Sequence, residues 1–95
     1  MKTETQITNE TQAPFILPNG FICLQFYVRP NDGQGVVLGM YPGLKHGRQE
    51  FASWAFYRND LTTTAHGEYT WNDLEHAAHI YQERVQDLEP IIALN

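Results

Sequence analysis

Gly67-Glu68-Tyr69-Thr70-Trp71-Asn72-Asp73-Leu74-Glu75-His76-Ala77-Ala78-His79-Ile80-Tyr81-Gln82-Glu83-Arg84-Val85-Gln86-Asp87-Leu88 is where an extended, Thr-rich run hands over to a helix. Leu74, Ala77, Ala78, Tyr81, Val85 and Leu88 fall at i, i+3, i+4, i+7, i+11 and i+14, a single helical stripe. Thr70 followed by Asp73, or Asn72 followed by Glu75, can cap the free amides at its start. With Thr70 as the cap, Tyr69 and Leu74 take staple positions. Asp73 and Glu75 suit the positive end of the helix dipole. Glu89-Pro90 sets the stop, because proline disfavours helical geometry in the residue before it. Ile91-Ile92-Ala93-Leu94 follows as an apolar tail that docks on the sheet edge or meets a partner.

Upstream the period changes from helical to two. In Phe21–Val28, Ile22, Leu24, Phe26 and Val28 alternate onto one face, while Phe21, Cys23, Gln25 and Tyr27 leave the other largely apolar. Pro30-Asn31-Asp32-Gly33 reads as a turn and Val36–Tyr41 as the next strand, stopped by Pro42-Gly43. Gln49–Arg58 alternates again, with Phe51, Ser53, Ala55 and Tyr57 against Ala52, Trp54 and Phe56. Asn59-Asp60 turns the chain into a strand over Leu61–Tyr69, with a bulge or bend at Gly67. Short connections favour an antiparallel meander. The expected fold class is α+β: a four-stranded antiparallel meander, with room for a fifth N-terminal edge segment at Phe15–Leu17, and one C-terminal amphipathic helix on one face. Residues 1–13 are mostly Thr, Gln, Asn, Glu and Lys, and are expected to be a flexible tail ahead of a single domain over 14–95.

The chain has 95 residues, one domain's worth, with 42% hydrophobic and 13% aromatic residues. Net charge is −5, and it is uneven. Residues 60–95 set Arg84 against Asp60, Glu68, Asp73, Glu75, Glu83, Asp87 and Glu89. Such a surface disfavours nucleic acid phosphates and favours a basic protein partner. One cysteine, Cys23, forbids an intrachain disulfide and reads as a small buried hydrophobe. No run reaches the ~20 apolar residues of a membrane span, and Met1–Gln6 has no apolar leader. A cytoplasmic location is the expectation, with no cofactor.

Candidate chemistry is sparse. His76, His79 and Glu83 have helical spacing for a metal, but nothing fixes a fourth ligand, so no metal site is assigned. Glu75, His79 and Glu83 at i, i+4 and i+8 suit ion pairing along the helix instead. Gly33, Gly35 and Gly39 lie between two strand-like runs, not before a helix, so they are turn and strand glycines. No nucleophile–base motif is readable, and the chain is expected not to be an enzyme. One helix covers one sheet face, which leaves the other exposed, or covered by the Phe15–Leu17 segment or by a second molecule, a partner or a second copy. The expected protein interface is the uncovered sheet face (Trp54, Phe56, Arg58) or the acidic helix face (Asp73, Glu75, Glu83, Asp87). The alternative is single-stranded nucleic acid or a small ligand held by the sheet, with Arg29, Lys45, Arg48 and Arg58 supplying charge and aromatics stacking.

The Gly67–Arg84 segment resembles a pattern in small phage and mobile-element proteins. There, a strand ending in Gly-x-Tyr runs into a helix of the form Asp-Leu-x-x-Ala, with an aromatic and an Arg later; the Ala52-Ser53-Trp54 strand is similar in style. The resemblance implies no catalytic residue. It implies an inhibitor of the anti-CRISPR type, blocking a host complex with an acidic or aromatic surface.

Overall fold

A computed structural model describes residues 1–88. The fold is α+β. Five strands, β1 (Phe15–Ile16), β2 (Ile22–Val28), β3 (Gly35–Met40), β4 (Glu50–Tyr57) and β5 (Asp60–Trp71), form one antiparallel sheet in sequential order. Helix α1 (Leu74–Leu88) packs on one face. The expected fifth segment is β1. The Glu89-Pro90 stop and the apolar tail after it lie outside the described residues.

The turns follow from their residues. Between β2 and β3, Arg29 accepts from the Gly33 N–H at 2.9 Å and donates its own N–H to Gln34 at 2.8 Å. Gly33 has φ +74°, and a Cβ there would meet Asn59 Oδ1 at 2.1 Å and Asn59 N at 2.8 Å. Arg58 and Asn59, at φ 57° and 60°, make the two-residue turn from β4 to β5, with Tyr57 paired to Asp60. Two successive positive φ values match the right-handed twist of the flanking strands.

Each face has its own core. On the helix face Val36, Leu38 and Phe51 meet Ala77 and Tyr81, joined by Leu24, Met40, Ala78, Val85 and Leu88. Leu74, read as the first residue of the stripe, is instead 48% exposed. On the other face Phe21, Cys23, Val28, Val37, Ala52, Trp54 and Phe56 pack with Ile7, Phe15, Leu17 and Leu61.

That second core decides between the alternatives for this face, since Phe15 and Leu17 help cover it, and it corrects one expectation: residues 1–7 are not a loose tail. Ile16 donates to Lys2 O at 2.8 Å and accepts from Glu4 N–H at 3.0 Å. Leu61 donates to Thr5 O at 2.8 Å, and Ile7 N–H donates to Asn59 O at 3.0 Å. The Asn59 amide donates back to Ile7 O at 2.8 Å. Ile7 is 1% exposed, and burying such a side chain contributes roughly 1.5–3 kcal/mol. Polar composition misleads here because backbone pairing asks nothing of the side chains, so one apolar anchor suffices. Thr8 and Thr11 then close a tight turn, Thr11 N–H donating to Thr8 O at 3.1 Å.

The face assignment of β2 also needs correction. Cys23 pairs with Gly39 but Gln25 with Leu38, so Leu24 is an inserted residue. Past this bulge Phe26 and Val28 share a core with Cys23, and Leu24 faces the helix core. In β4 the expected faces hold: Trp54, Phe56 and Ala52 lie in one core and Phe51 in the other. Gly67 lies where the β4–β5 register shifts, with His66 at φ 56°.

Candidate interaction surface

The sequence-derived residues separate. Trp54 and Phe56 are inside, at 6% and 0% exposure, beneath the N-terminal segment and β1. Arg58 is exposed at the β4–β5 turn. The aromatic sheet face named from the sequence is therefore covered.

Asp73, Glu75, Glu83 and Asp87 are all exposed on α1. Asp73 is the helix cap, in place of Thr70 or Asn72: its Oδ1 accepts the His76 N–H at 2.9 Å. Thr70 instead donates its hydroxyl to Asp73 O at 3.3 Å, and Asn72, at φ 54°, turns the chain between β5 and α1. His79 Nε2 lies 3.1 Å from Glu83 Oε1 on the solvent side. Among the described residues no three His, Cys, Asp or Glu side chains gather as metal ligands. Arg84 turns back to the sheet, donating to Glu68 at 2.9 Å, to Ser53 O at 3.3 Å and to His66 O. The outer helix face is thus left acidic.

The four basic residues of the nucleic acid alternative divide between the two ends of the sheet. Arg29 and Arg58 belong to the β2–β3 and β4–β5 turns; Lys45 and Arg48 belong to the β3–β4 hairpin. Strands of this length put the ends roughly 20 Å apart. Arg29 is committed: it meets Asp32 at 2.6 Å, Gln34 at 2.8 Å and Leu88 O at 2.9 Å. That contact holds the Asp32 carboxyl down at about 2.

At the hairpin end three strands bring together residues far apart in sequence. Tyr41 N–H donates to Glu50 O at 2.9 Å, and Glu50 pairs with Trp71. Cross-strand partners share a face, so Tyr41, Glu50 and Trp71 form a row. Glu50 is 6% exposed. Lys45 Nζ sits 3.4 Å from its Oε1 and 4.9 Å from the Tyr41 ring centroid. The Arg48 guanidinium lies 4.7 Å from the Trp71 ring centroid. Asn72 ties strand to hairpin: Oδ1 accepts Gln49 N–H at 2.8 Å, and its own N–H donates to Gln49 O at 2.7 Å.

One residue pair along, Tyr69 ends a chain of edge-on rings: Tyr41–Phe21 at 5.5 Å, Phe21–Trp54 at 4.8 Å and Trp54–Tyr69 at 5.9 Å between centroids. The Trp54 indole N–H donates to the Tyr69 hydroxyl at 3.3 Å. Gly67 makes room, since a Cβ there would lie 2.6 Å from the indole nitrogen. Tyr69 is nonetheless 53% exposed and Trp71 37%.

Comparison with known proteins found no matching family model, no matching curated protein and no matching solved structure. The surface therefore stands on its own geometry. No helix among the described residues is long and apolar enough to cross a membrane. Nothing local in the sequence joins Trp71 and Glu50 to the Lys45–Arg48 loop. Plain counting back from the Tyr57–Asp60 pair would set Gly67 opposite Glu50; two register shifts in β4–β5 bring Trp71 there instead.

Proposed function

We propose that this chain is a non-enzymatic protein-interaction module, and that it meets its partner with the hairpin end of the sheet. Exposed Tyr69 and Trp71 share one sheet face, with Arg48 over Trp71, and exposed Leu74 follows where the helix starts, between acidic Asp73 and Glu75. The observation that carries this reading is the clustering of large exposed apolar side chains: Tyr69, Trp71 and Leu74 fall within six consecutive residues where β5 runs into α1. Tyr, Trp and Arg dominate binding hot spots because they bury much area at low entropic cost. The acidic helix favours a basic partner, and the resemblance to phage inhibitors would make that partner part of a host complex. The non-enzymatic reading is supported by the two candidate nucleophiles. Burial pushes the Cys23 thiol up to about 12. The Ser53 hydroxyl, 1% exposed, donates to Val37 O at 3.0 Å.

The test is affinity capture with wild type, Tyr69→Ser/Trp71→Ala, and Glu75→Lys/Glu83→Lys, read by quantitative mass spectrometry. The aromatic variant is expected to lose the captured protein and the charge variant to weaken it. Retention of the same partner by the aromatic variant overturns the reading. A second reading, single-stranded nucleic acid, is favoured by one observation: Lys45 stands over the half-buried Tyr41 ring and Arg48 over the exposed Trp71 ring. It requires oligonucleotide affinity that falls steeply with salt. A homodimer would appear as a doubled mass in light scattering, lost on Trp71→Ala.

A further inference from the structure

The row Tyr41–Glu50–Trp71 has the composition of a receptor for a cation. Tyr41 and Trp71 are the cross-strand neighbours of Glu50, whose side chain is almost wholly withdrawn from water. A buried carboxylate needs a cationic or hydrogen-bonding partner, because desolvation without one is strongly unfavourable. Aromatic faces attract the same cations through their quadrupoles. Here the chain's own hairpin supplies the occupants: Lys45 between Glu50 and the Tyr41 ring, Arg48 over Trp71.

Both cations sit within ordinary cation–π distance of their rings, and the ion pair is the long contact. Lys45 Nζ stands 3.4 Å from Glu50 Oε1, where a charge-assisted N–H···O bond is ordinarily 2.7–2.9 Å. The Lys45 side chain is 45% exposed. The hairpin carrying it is otherwise polar and exposed from Pro42 to Arg48, apart from Leu44, which is itself exposed. It closes on itself through reciprocal Lys45–Arg48 backbone bonds of 2.8 and 2.9 Å. Its two cations can therefore leave the row without opening a core.

We infer that the Tyr41–Glu50–Trp71 row is a binding site for an arginine or lysine side chain presented by a basic partner segment, and that Lys45 and Arg48 are its built-in competitors. The inference rests on the interaction-module reading and names the chemistry the partner brings. An incoming guanidinium can meet the carboxylate with two parallel bonds and stack on Trp71, which one ammonium cannot do, so arginine is preferred. Asp73 and Glu75 at the adjoining helix start add long-range attraction for a basic segment.

The experiment uses the full chain and the probe acetyl-Gly-Gly-Arg-Gly-Arg-Gly-amide, with the Lys-for-Arg peptide as the second arm. Titrations are followed by the Trp71 indole N–H resonance, with Trp54 as the internal reference. Arg48→Gln and Lys45→Gln are each expected to bind the Arg peptide about five- to tenfold more tightly than wild type, on the scale of one exposed-to-buried cation–π contact. Lys2→Gln, which removes the same charge elsewhere, is expected to leave affinity within about twofold. Glu50→Gln is expected to abolish the response, its fold being checked by amide dispersion. Equal affinity of Arg48→Gln, Lys45→Gln and Lys2→Gln overturns the inference, and so does an undiminished response in Glu50→Gln. The two failures are distinguishable. If partner capture is lost on Trp71→Ala but untouched by Glu50→Gln, the interface stands and the cation site falls. If capture survives Trp71→Ala while the peptide responses are as expected, the cation site stands and the interface lies elsewhere.

Discussion

The two ends of the sheet use similar residues to opposite effect. At the turn end, Arg29 is bonded to Asp32, Gln34 and Leu88 O, and Asn59 joins Ile7 to the Gly33 carbonyl. Polar groups there are consumed in holding loops and the N-terminal segment together. At the hairpin end, Lys45 and Arg48 lie over rings that stay partly exposed, and Glu50 has a loose partner. The lesson is that a charged, aromatic end is structural when its groups satisfy one another at hydrogen-bond distance, and available when they do not.

The sharpest way to break this comparison is to damage both ends and compare stabilities. Ile7→Ala is expected to cost about 2–5 kcal/mol in urea unfolding, because it empties a buried site under the second face. Trp71→Ala should cost under about 1 kcal/mol, as its ring is more than a third exposed. Equal losses would erase the distinction. Gly67→Ala comes next. Its Cβ would press on the Trp54 indole, so about 1–3 kcal/mol is expected, with a blue or red shift of Trp54 fluorescence. Asp73→Ala should cost about 1 kcal/mol through loss of the cap, read as reduced helical circular dichroism during melting.

The smallest effect lies on the acid side of the turn end. Arg29 holds the Asp32 carboxyl at about 2, below its ordinary 3.8, so the folded state favours the carboxylate. Its contribution to stability is complete above pH ~3.8 and is lost as pH falls from there towards 2. Hydrogen bonds from Thr62 also lower Asp60, which acts in the same direction. Asp32→Asn should flatten part of the fall in urea midpoint across this window while leaving the neutral-pH slope unchanged.

Much of the architecture was legible because it is written in local periods. The Leu74-to-Leu88 stripe, the alternation of Phe51 to Tyr57 and the turn residues at 30–33 and 59–60 each announce an element from a few neighbours. The inserted Leu24 was not legible, because a bulge shifts faces without altering composition. Nor was the course of residues 1–7: Ile7 is a lone apolar residue, and its partners Asn59 and Leu61 are remote in the chain. The candidate surface was half legible. Lys45, Arg48 and Tyr41 stood out as bases among aromatics, whereas Glu50 and Trp71 join them only through cross-strand register. Trp54 and Phe56 were misplaced in part for the same reason as Ile7, since some of their cover comes from a segment that reads as solvent-loving and the rest from Phe15, Leu17 and Phe21.

The N-terminal strap also constrains the order in which the chain can mature. Its anchor at Asn59 is 52 residues downstream of Ile7, so Ile7 cannot dock until the β4–β5 turn has formed. Until then Phe21, Trp54 and Phe56 lack part of their lid, and the folding chain presents a greasy flank to its neighbours. A variant from which residues 1–7 are deleted should therefore clump as it folds, before any fault shows in its mature form.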